Sequence, residues 1–298
     1  MARSFPPDVI VLDTDALVHA RVGRGVKKPQ ILQAKSYRLA ADTFVPSVVT
    51  PDLASDAGLA EAIRRMKGET GRWNKASLLL PDSWFRMNIL EIPTLPDKSD
   101  EADAMIRWSL KRTMPLEGSA LRLAYEVLSR GANGVRVLAV SAVEKTLAAI
   151  EQVFEAGGIE IVLIEPVGLN IWNALAVREA ATTGDRIFFY IRDQDFTTAL
   201  FRGGAPLFIR SRNLNAQRTL QQEIKLSASY LRDALGTEAI ESCYLCGNEL
   251  GDGLAEEIAA EFSAPVRVVE LRDFTEHTPE GVGAYEAELT ACTGVFTG

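Results

Sequence analysis

Apolar residues recur along this chain in two periods, and the switches between them mark its elements. Residues 9–12 form an unbroken apolar run, Asp13-Thr14-Asp15 carries turn chemistry, and Val18, Ala20 and Val22 then alternate with more polar neighbours, the period-two mark of a strand. Gly23 and Gly25 punctuate a second turn, and "QILQAKSYRLA" supplies a third strand, so residues 9–38 predict a three-stranded antiparallel start. In "SDAGLAEAIRRMKG" the spacing changes: Leu59, Ile63 and Met66 share one helical face, with Gly68 as the expected stop. "ASLLLP" returns as a buried strand.

From residue 83 the texture changes. "WFRMNILEIPTLPDKS" is strand-like and proline-bounded, and it leads into a helix from about Asp100 whose acids lie in the first turn and bases in the last, as the helix dipole favours. Ala102, Met105, Ile106 and Leu110 share a face that Trp108 flanks, and Asp103 and Arg107 can pair one turn apart. Two strands, "RLAYEVLSR" and "VRVLAVSAV", join through the turn "GANG". Ser141 and Glu144 then stand at capping-box spacing before a helix that closes on Gly157-Gly158.

"IEIVLIEPVGLNIWNALAVREA" reads as strand then helix, and "RIFFYIR", "FTTALFR" and "PLFIRSR" as three successive strands. A long helix over "AQRTLQQEIKLSASYLRDAL" follows, then strand 240–246, a helix at about 252–262, the strand "VRVVEL" and a helix of small residues ending "LTACTGVF". Three antiparallel strands followed by alternating helix and strand thus begin at residue 9 and again at residue 186. The order predicts two related α/β halves facing a cleft, with a smaller module inserted at about 83–160.

Composition sharpens this picture. A chain of 298 residues with 47% hydrophobic content can bury a sizeable core, and domains of roughly 100 to 200 residues suggest about two of them. The net charge of −8 argues against nucleic acid and anionic lipid as partners. No apolar run approaches the ~20 residues of a membrane-spanning helix, and the start is too short in its apolar part for a secretory signal, so a cytoplasmic location is expected. Cys243, Cys246 and Cys292 are too few for a disulfide framework, and "CYLC" lacks the further ligands that zinc needs. "IESCYLCG" reads instead as a buried strand using cysteine as a small apolar residue. Neither His19 nor His277 has a flanking pattern that nominates a catalytic base, and no nucleophile motif or metal site is evident.

The stretch "LLLPDSWFRMNILEIPTLPDKSDEADAMIRWSLKRTMPLEGSALRLAYEVL" resembles the inserted module of the PilM family, cytoplasmic actin-like proteins of type IV pilus assembly. Pro81-Asp82, Ile92-Pro93, Leu95-Pro96, Trp108 and Met114-Pro115 carry the likeness, and "IEPVGLNIWNAL" and "RTLQQEIKLSASYL" extend it over nearly the whole chain. The resemblance implies an actin-like (ribonuclease H-like) fold of duplicated domains, the first over 1–82 and 161–182, the inserted α/β module over 83–160, and the second over 183–298.

It also locates a nucleotide site to be tested. In actin-like proteins the first hairpin presents aspartate, glycine and a hydroxyl, because backbone amides must approach phosphate closely. Here Asp13 stands in place, but Thr14, Asp15 and Ala16 follow, so the glycine is missing and a charge is added. In the second hairpin, "YIRDQDFTT", Tyr190 replaces the aspartate and Arg192 the glycine; in "LCGNELGDG" Gly247 fits the adenosine turn. The expectation is a degenerate site with Asp13, Thr14 and Gly247 as residual cofactor positions, no catalytic residues, and ATP with Mg²⁺ as the alternative cofactor.

The resemblance further implies a scaffold at the inner membrane that binds the short N-terminal cytoplasmic segment of a PilN-like single-span protein, without inserting into the membrane itself. Leu79, Pro81, Phe85, Trp108 and Met114 are the expected groove residues; core packing is the competing reading of each. An ATPase or small-molecule kinase would need a carboxylate such as Asp13 or Asp193 and an intact phosphate cradle. A filament former like the cell-division protein FtsA would carry an amphipathic membrane helix, and "LTACTGVFTG" has no basic face for one.

Overall fold

The apolar run at residues 9–12 is buried on both of its faces: Val9 and Val11 enter one core cluster, Ile10 and Leu12 another. Alternate residues of a strand point to opposite sides, so this strand lies at the centre of a sheet covered on both sides. The computed structural model describes residues 5–45, 52–111, 120–132, 134–179, 184–215, 218–236, 239–248, 250–279 and 283–296. In chain order the elements are β1 (Asp8–Leu12), β2 (Ala16–Gly23), β3 (Gln30–Arg38), the short pair β4 (Phe44–Val45) and β5 (Asp52–Leu53), α1 (Asp56–Thr70), β6 (Lys75–Leu80), β7 (Phe85–Ile92), α2 (Ser99–Lys111), β8 (Leu121–Gly131), β9 (Gly134–Val143), α3 (Glu144–Ala156), β10 (Glu160–Pro166) and α4 (Val167–Arg178). The second half comprises β11 (Asp185–Arg192), β12 (Asp195–Arg202), β13 (Ala205–Asn213), α5 (Leu220–Leu235), β14 (Ser242–Gly247), α6 (Leu254–Phe262), β15 (Val266–Val268) and α7 (Glu286–Gly294).

The two five-stranded sheets have one topology. The first runs β3-β2-β1-β6-β10 and the second β13-β12-β11-β14-β15. In each, the first three strands are antiparallel and the last two join in parallel. The expected duplication is therefore a duplication of strand order.

Helices α4 and α7 pack on each other between the two sheets, within a core that takes Val9 and Val11 from the first and Phe188 and Tyr190 from the second. Their approach is close: a Cβ on Gly294 would lie 1.8 Å from the Asn170 carbonyl oxygen. Trp172 stacks on Phe201 across this layer, ring centroids 3.3 Å apart. The outer face of the first sheet carries α1 and α3, and that of the second α5 and α6.

The segment 83–160 divides its contacts. β7, β9 and β8 form an antiparallel sheet in that order, and α2 buries Ala102, Ile106 and Leu110 against it. Full burial of Ile106 and Leu110 contributes roughly 2 kcal/mol each. α3 instead places Leu147, Ile150, Val153 and Phe154 in the core of the first domain.

Two local expectations are corrected. Gly68 does not stop α1, which continues to Thr70 and ends at Gly71, whose φ of +91° suits glycine. Ser141 and Glu144 form no capping box, because β9 runs on to Val143 and the Ser141 hydroxyl faces the Arg86 carbonyl at 3.5 Å. Glu144 instead accepts from Arg122, 2.6 Å away. The capping box forms at α5, between Thr219 and Gln222. Asp103 and Arg107 pair as expected at 2.6 Å, and all three cysteines are free and buried. No helix among the described residues is long and apolar enough to cross a membrane.

Candidate functional site: the cleft between the two hairpins

The β1–β2 and β11–β12 turns meet across the cleft, and the residue that joins them is Arg192. It ends β11, opposite Asp195 in the hairpin register. Its Nη1 donates to Asp13 Oδ2 at 2.6 Å, and its Nε lies 2.9 Å from Oε1 of Glu288 on α7. Asp15 and Asp193 lie further out at 3.7 Å, both largely exposed. One buried guanidinium thus ties together the first hairpin, the second hairpin and the interdomain helix.

Each partner is held in turn. Asn248, just beyond β14, donates its amide to both Glu288 carboxylate oxygens at 3.0 and 2.8 Å and accepts from the Ala287 N–H at 3.3 Å. The Asp13 carboxylate accepts from the Thr14 N–H at 2.6 Å, and the Asp13 N–H bonds the Ala16 carbonyl at 2.9 Å. Those two amides of the first turn are therefore engaged inside the turn.

Burial raises the pKa of both Asp13 and Glu288, and Arg192 is the strongest influence holding each down. Two further carboxyls are buried nearby. Asp195 is pushed up to about 8, chiefly by burial, with Ser83 opposing and Asp13 and Asp82 adding to the rise. Asp82 rises to about 6 by burial, although its Oδ1 accepts from the Gly168 N–H at the start of α4, 2.7 Å away. Among the described residues, Asp13, Asp15, Asp193 and Glu288 are all arranged around Arg192.

The anticipated cofactor positions come together only in part. Asp13 sits in the ion-pair network, while Thr14 is exposed at the tip of its turn. Gly247 has a packing role, since a Cβ there would stand 2.0 Å from the Ile191 carbonyl oxygen. The amides of Asp13 and Thr14 are engaged within the first turn, and the Arg192 side chain bridges the two turns.

Among the anticipated groove residues, Leu79, Pro81 and Phe85 are buried, because β6 and the segment after it run through the middle of the fold. Trp108 is different, 64% exposed on the outer side of α2. Met114 lies outside the described residues.

Sequence reasoning missed Glu288 and Asn248. The available signal was Glu288, set between Ala287 and Leu289 in "EAELTACTG", a position that packing would otherwise give to an apolar side chain.

No family model and no curated protein matches the sequence. Solved structures do match. PilM of a PilM-PilN type IV pilus biogenesis complex overlays with a TM-score of 0.78 at 18% identity, covering 99% of this chain and 99% of that one. A Bacteroides thetaiotaomicron protein with an actin-like ATPase fold overlays with a TM-score of 0.56 at 13% identity, over 97% and 96% of the two chains. The cytoplasmic domain of EpsL, an inner membrane component of the Vibrio cholerae type II secretion system, gives 0.54 at 10% identity over 98% and 94%. This chain therefore has the actin-like ATPase fold, in the whole-length form seen in PilM.

Proposed function

We propose that this chain is a non-catalytic, cytoplasmic scaffold of a type IV pilus or related secretion assembly, held at the inner membrane by the short cytoplasmic segment of a PilN-like single-span protein. The observation that carries the non-catalytic reading is the bridge from Arg192 to Asp13 and Glu288. A triphosphate entering the cleft would have to break that bridge and then lie among Asp13, Asp15, Asp193 and Glu288. Phosphoryl transfer runs on cationic and amide stabilisation of the phosphates, and this cleft offers the opposite charge. Asp13, Thr14 and Gly247 are on this reading remnants of a nucleotide site, and ATP with Mg²⁺ is not a resident cofactor.

The likeness to PilM in complex with PilN and to EpsL supports the kind of apparatus. For the partner segment, the exposed Trp108 on the inserted module is the anchor: a large amphipathic ring in water is the sort of residue that dominates binding energy. Trp108→Ala should leave the melting temperature unchanged, because the ring is mostly solvated, and should weaken a PilN-like cytoplasmic peptide at least about tenfold. Equal peptide affinity in wild type and variant, measured by calorimetric titration, would remove Trp108 from the interface.

A further inference from the structure

Four arginines converge where the inserted module meets the second sheet. Arg210 and Arg212 stand two apart on β13 and so share a face, the one from which Phe208 packs toward α5. Arg218 lies just before α5, and Arg86 enters from β7, which runs against β13. The carboxylate among them is Glu223, fully buried, with Arg210 Nη2 at 2.8 Å and Arg218 Nε at 3.4 Å. Among the described residues no carboxylate is within ion-pair distance of Arg86 or Arg212. Arg86 donates to the Ser83 and Phe85 carbonyls at 3.3 Å and Arg212 to the Ser211 carbonyl at 2.9 Å.

Four guanidiniums therefore share one carboxylate, in a chain whose net charge is −8. The crowding is felt: burial, and then Arg210, Arg218 and Arg86, hold the Arg212 pKa below the usual arginine value against the pull of Glu223. An uncompensated cluster of like charge raises the free energy of the fold, and an anion placed on it recovers that cost. Beside it an open groove of about 500 Å³ follows α5, lined by Arg218, Gln222, Glu223, Lys225, Leu226 and Ser229. Leu226 and Tyr230 stand 52% and 44% exposed along that helix, the Tyr230 ring against Phe208 at 4.9 Å.

We propose that this corner is a second docking site, which takes an acidic peptide segment of a protein partner. Carboxylates of the segment engage Arg86, Arg212 and Arg218, and an apolar side chain covers Leu226 and Tyr230. Charge complementarity selects the occupant: the guanidiniums ask for carboxylates, and the exposed apolar stripe beside them asks for side chains that a free anion lacks. The site uses none of the residues assigned above to the PilN-like segment, so the two readings stand or fall separately.

The test is fluorescence anisotropy with a fluorescein-labelled peptide of repeated Glu-Glu-Leu, beside its Gln-Gln-Leu counterpart, on the full chain. The Glu peptide should bind, weaken as salt rises, and lose about tenfold or more in Arg212→Gln and in Arg86→Gln, each of which removes charge-assisted hydrogen bonds. The Gln peptide should not bind, and Arg64→Gln, on the exposed face of α1, should bind like wild type. Arg212→Gln relieves like-charge crowding, so its melting temperature should equal or exceed that of wild type, which separates lost binding from lost fold. Absence of saturable binding by the Glu peptide would overturn the site, as would equal affinity in Arg212→Gln or competition by inorganic phosphate as strong as by unlabelled peptide.

Discussion

Replacing Arg192 by methionine removes the cation and keeps much of the side-chain volume. The guanidinium is 9% exposed and its partner Glu288 is fully buried, with Asp13 16% exposed. Removing one partner of a buried ion pair leaves the other charge uncompensated, a loss of about 3–5 kcal/mol. At the entropy of unfolding of a chain this size, that lowers the melting temperature by about 5–8 °C. The loss has a pH signature. Asp13 and Glu288 already titrate above their ordinary values through burial, and loss of Arg192 lets both rise further. A carboxyl whose folded pKa is raised stabilises the fold below its unfolded value and ceases to do so as pH rises through the folded one. The deficit of Arg192→Met should therefore be largest at neutral and alkaline pH and shrink as acid protonates the two carboxyls. Thermal melts followed by circular dichroism, repeated in Glu288→Met and the double variant, measure it; the double variant should recover a large part of the loss because it removes both charges. A loss under about 1 kcal/mol at neutral pH, or strictly additive single effects, would refute the buried bridge.

Two further expectations follow from the packing around the cleft. Asp195, with a pKa near 8, is protonated in the fold well above the ordinary carboxyl value, so wild type should lose stability relative to Asp195→Asn as pH rises from about 5 toward 8. The slope should approach about 1.4 kcal/mol per pH unit, and parallel stability profiles in urea titrations would contradict it. Gly294→Ala places a methyl 1.8 Å from the Asn170 carbonyl oxygen, which forces α7 from α4. Overpacking of this kind costs about 1–3 kcal/mol or more, and a melting temperature equal to wild type would show that the helices part freely.

Both hairpins were legible in the sequence, because period two and continuous apolar runs are set by burial on one or two faces of a strand, and burial at the centre of each sheet is strict here. The helix ends were less so. Gly68 is carried inside α1, where glycine costs only about 1 kcal/mol relative to alanine, and the positive-φ residue at which the helix stops is Gly71. Ser141 has capping-box spacing but belongs to β9, since strand pairing with Arg86 on β7 outweighs a local cap. In the cleft, Arg192 was readable as standing where the resemblance implies glycine; that it reaches Asp13 across 179 positions was not, because pairing at that range depends on the whole fold. Residue type alone did not reveal that Leu79 and Phe85 are buried while Trp108 is exposed; their positions in the fold decide that. Arg86, Arg210, Arg212 and Arg218 look like ordinary surface charges until β7 and β13 are brought side by side.

The central claim, that partner binding here is independent of nucleotide, is tested most directly by one calorimetric experiment. The full chain is titrated with a synthetic peptide of the N-terminal cytoplasmic segment of the cognate PilN-like protein, with and without ATP and Mg²⁺. The bridge at Arg192 predicts the same affinity and heat in both conditions, and no heat when ATP and Mg²⁺ are titrated alone. Peptide binding that appears only with ATP, or saturable ATP binding by wild type, would contradict it and return the cleft to nucleotide chemistry.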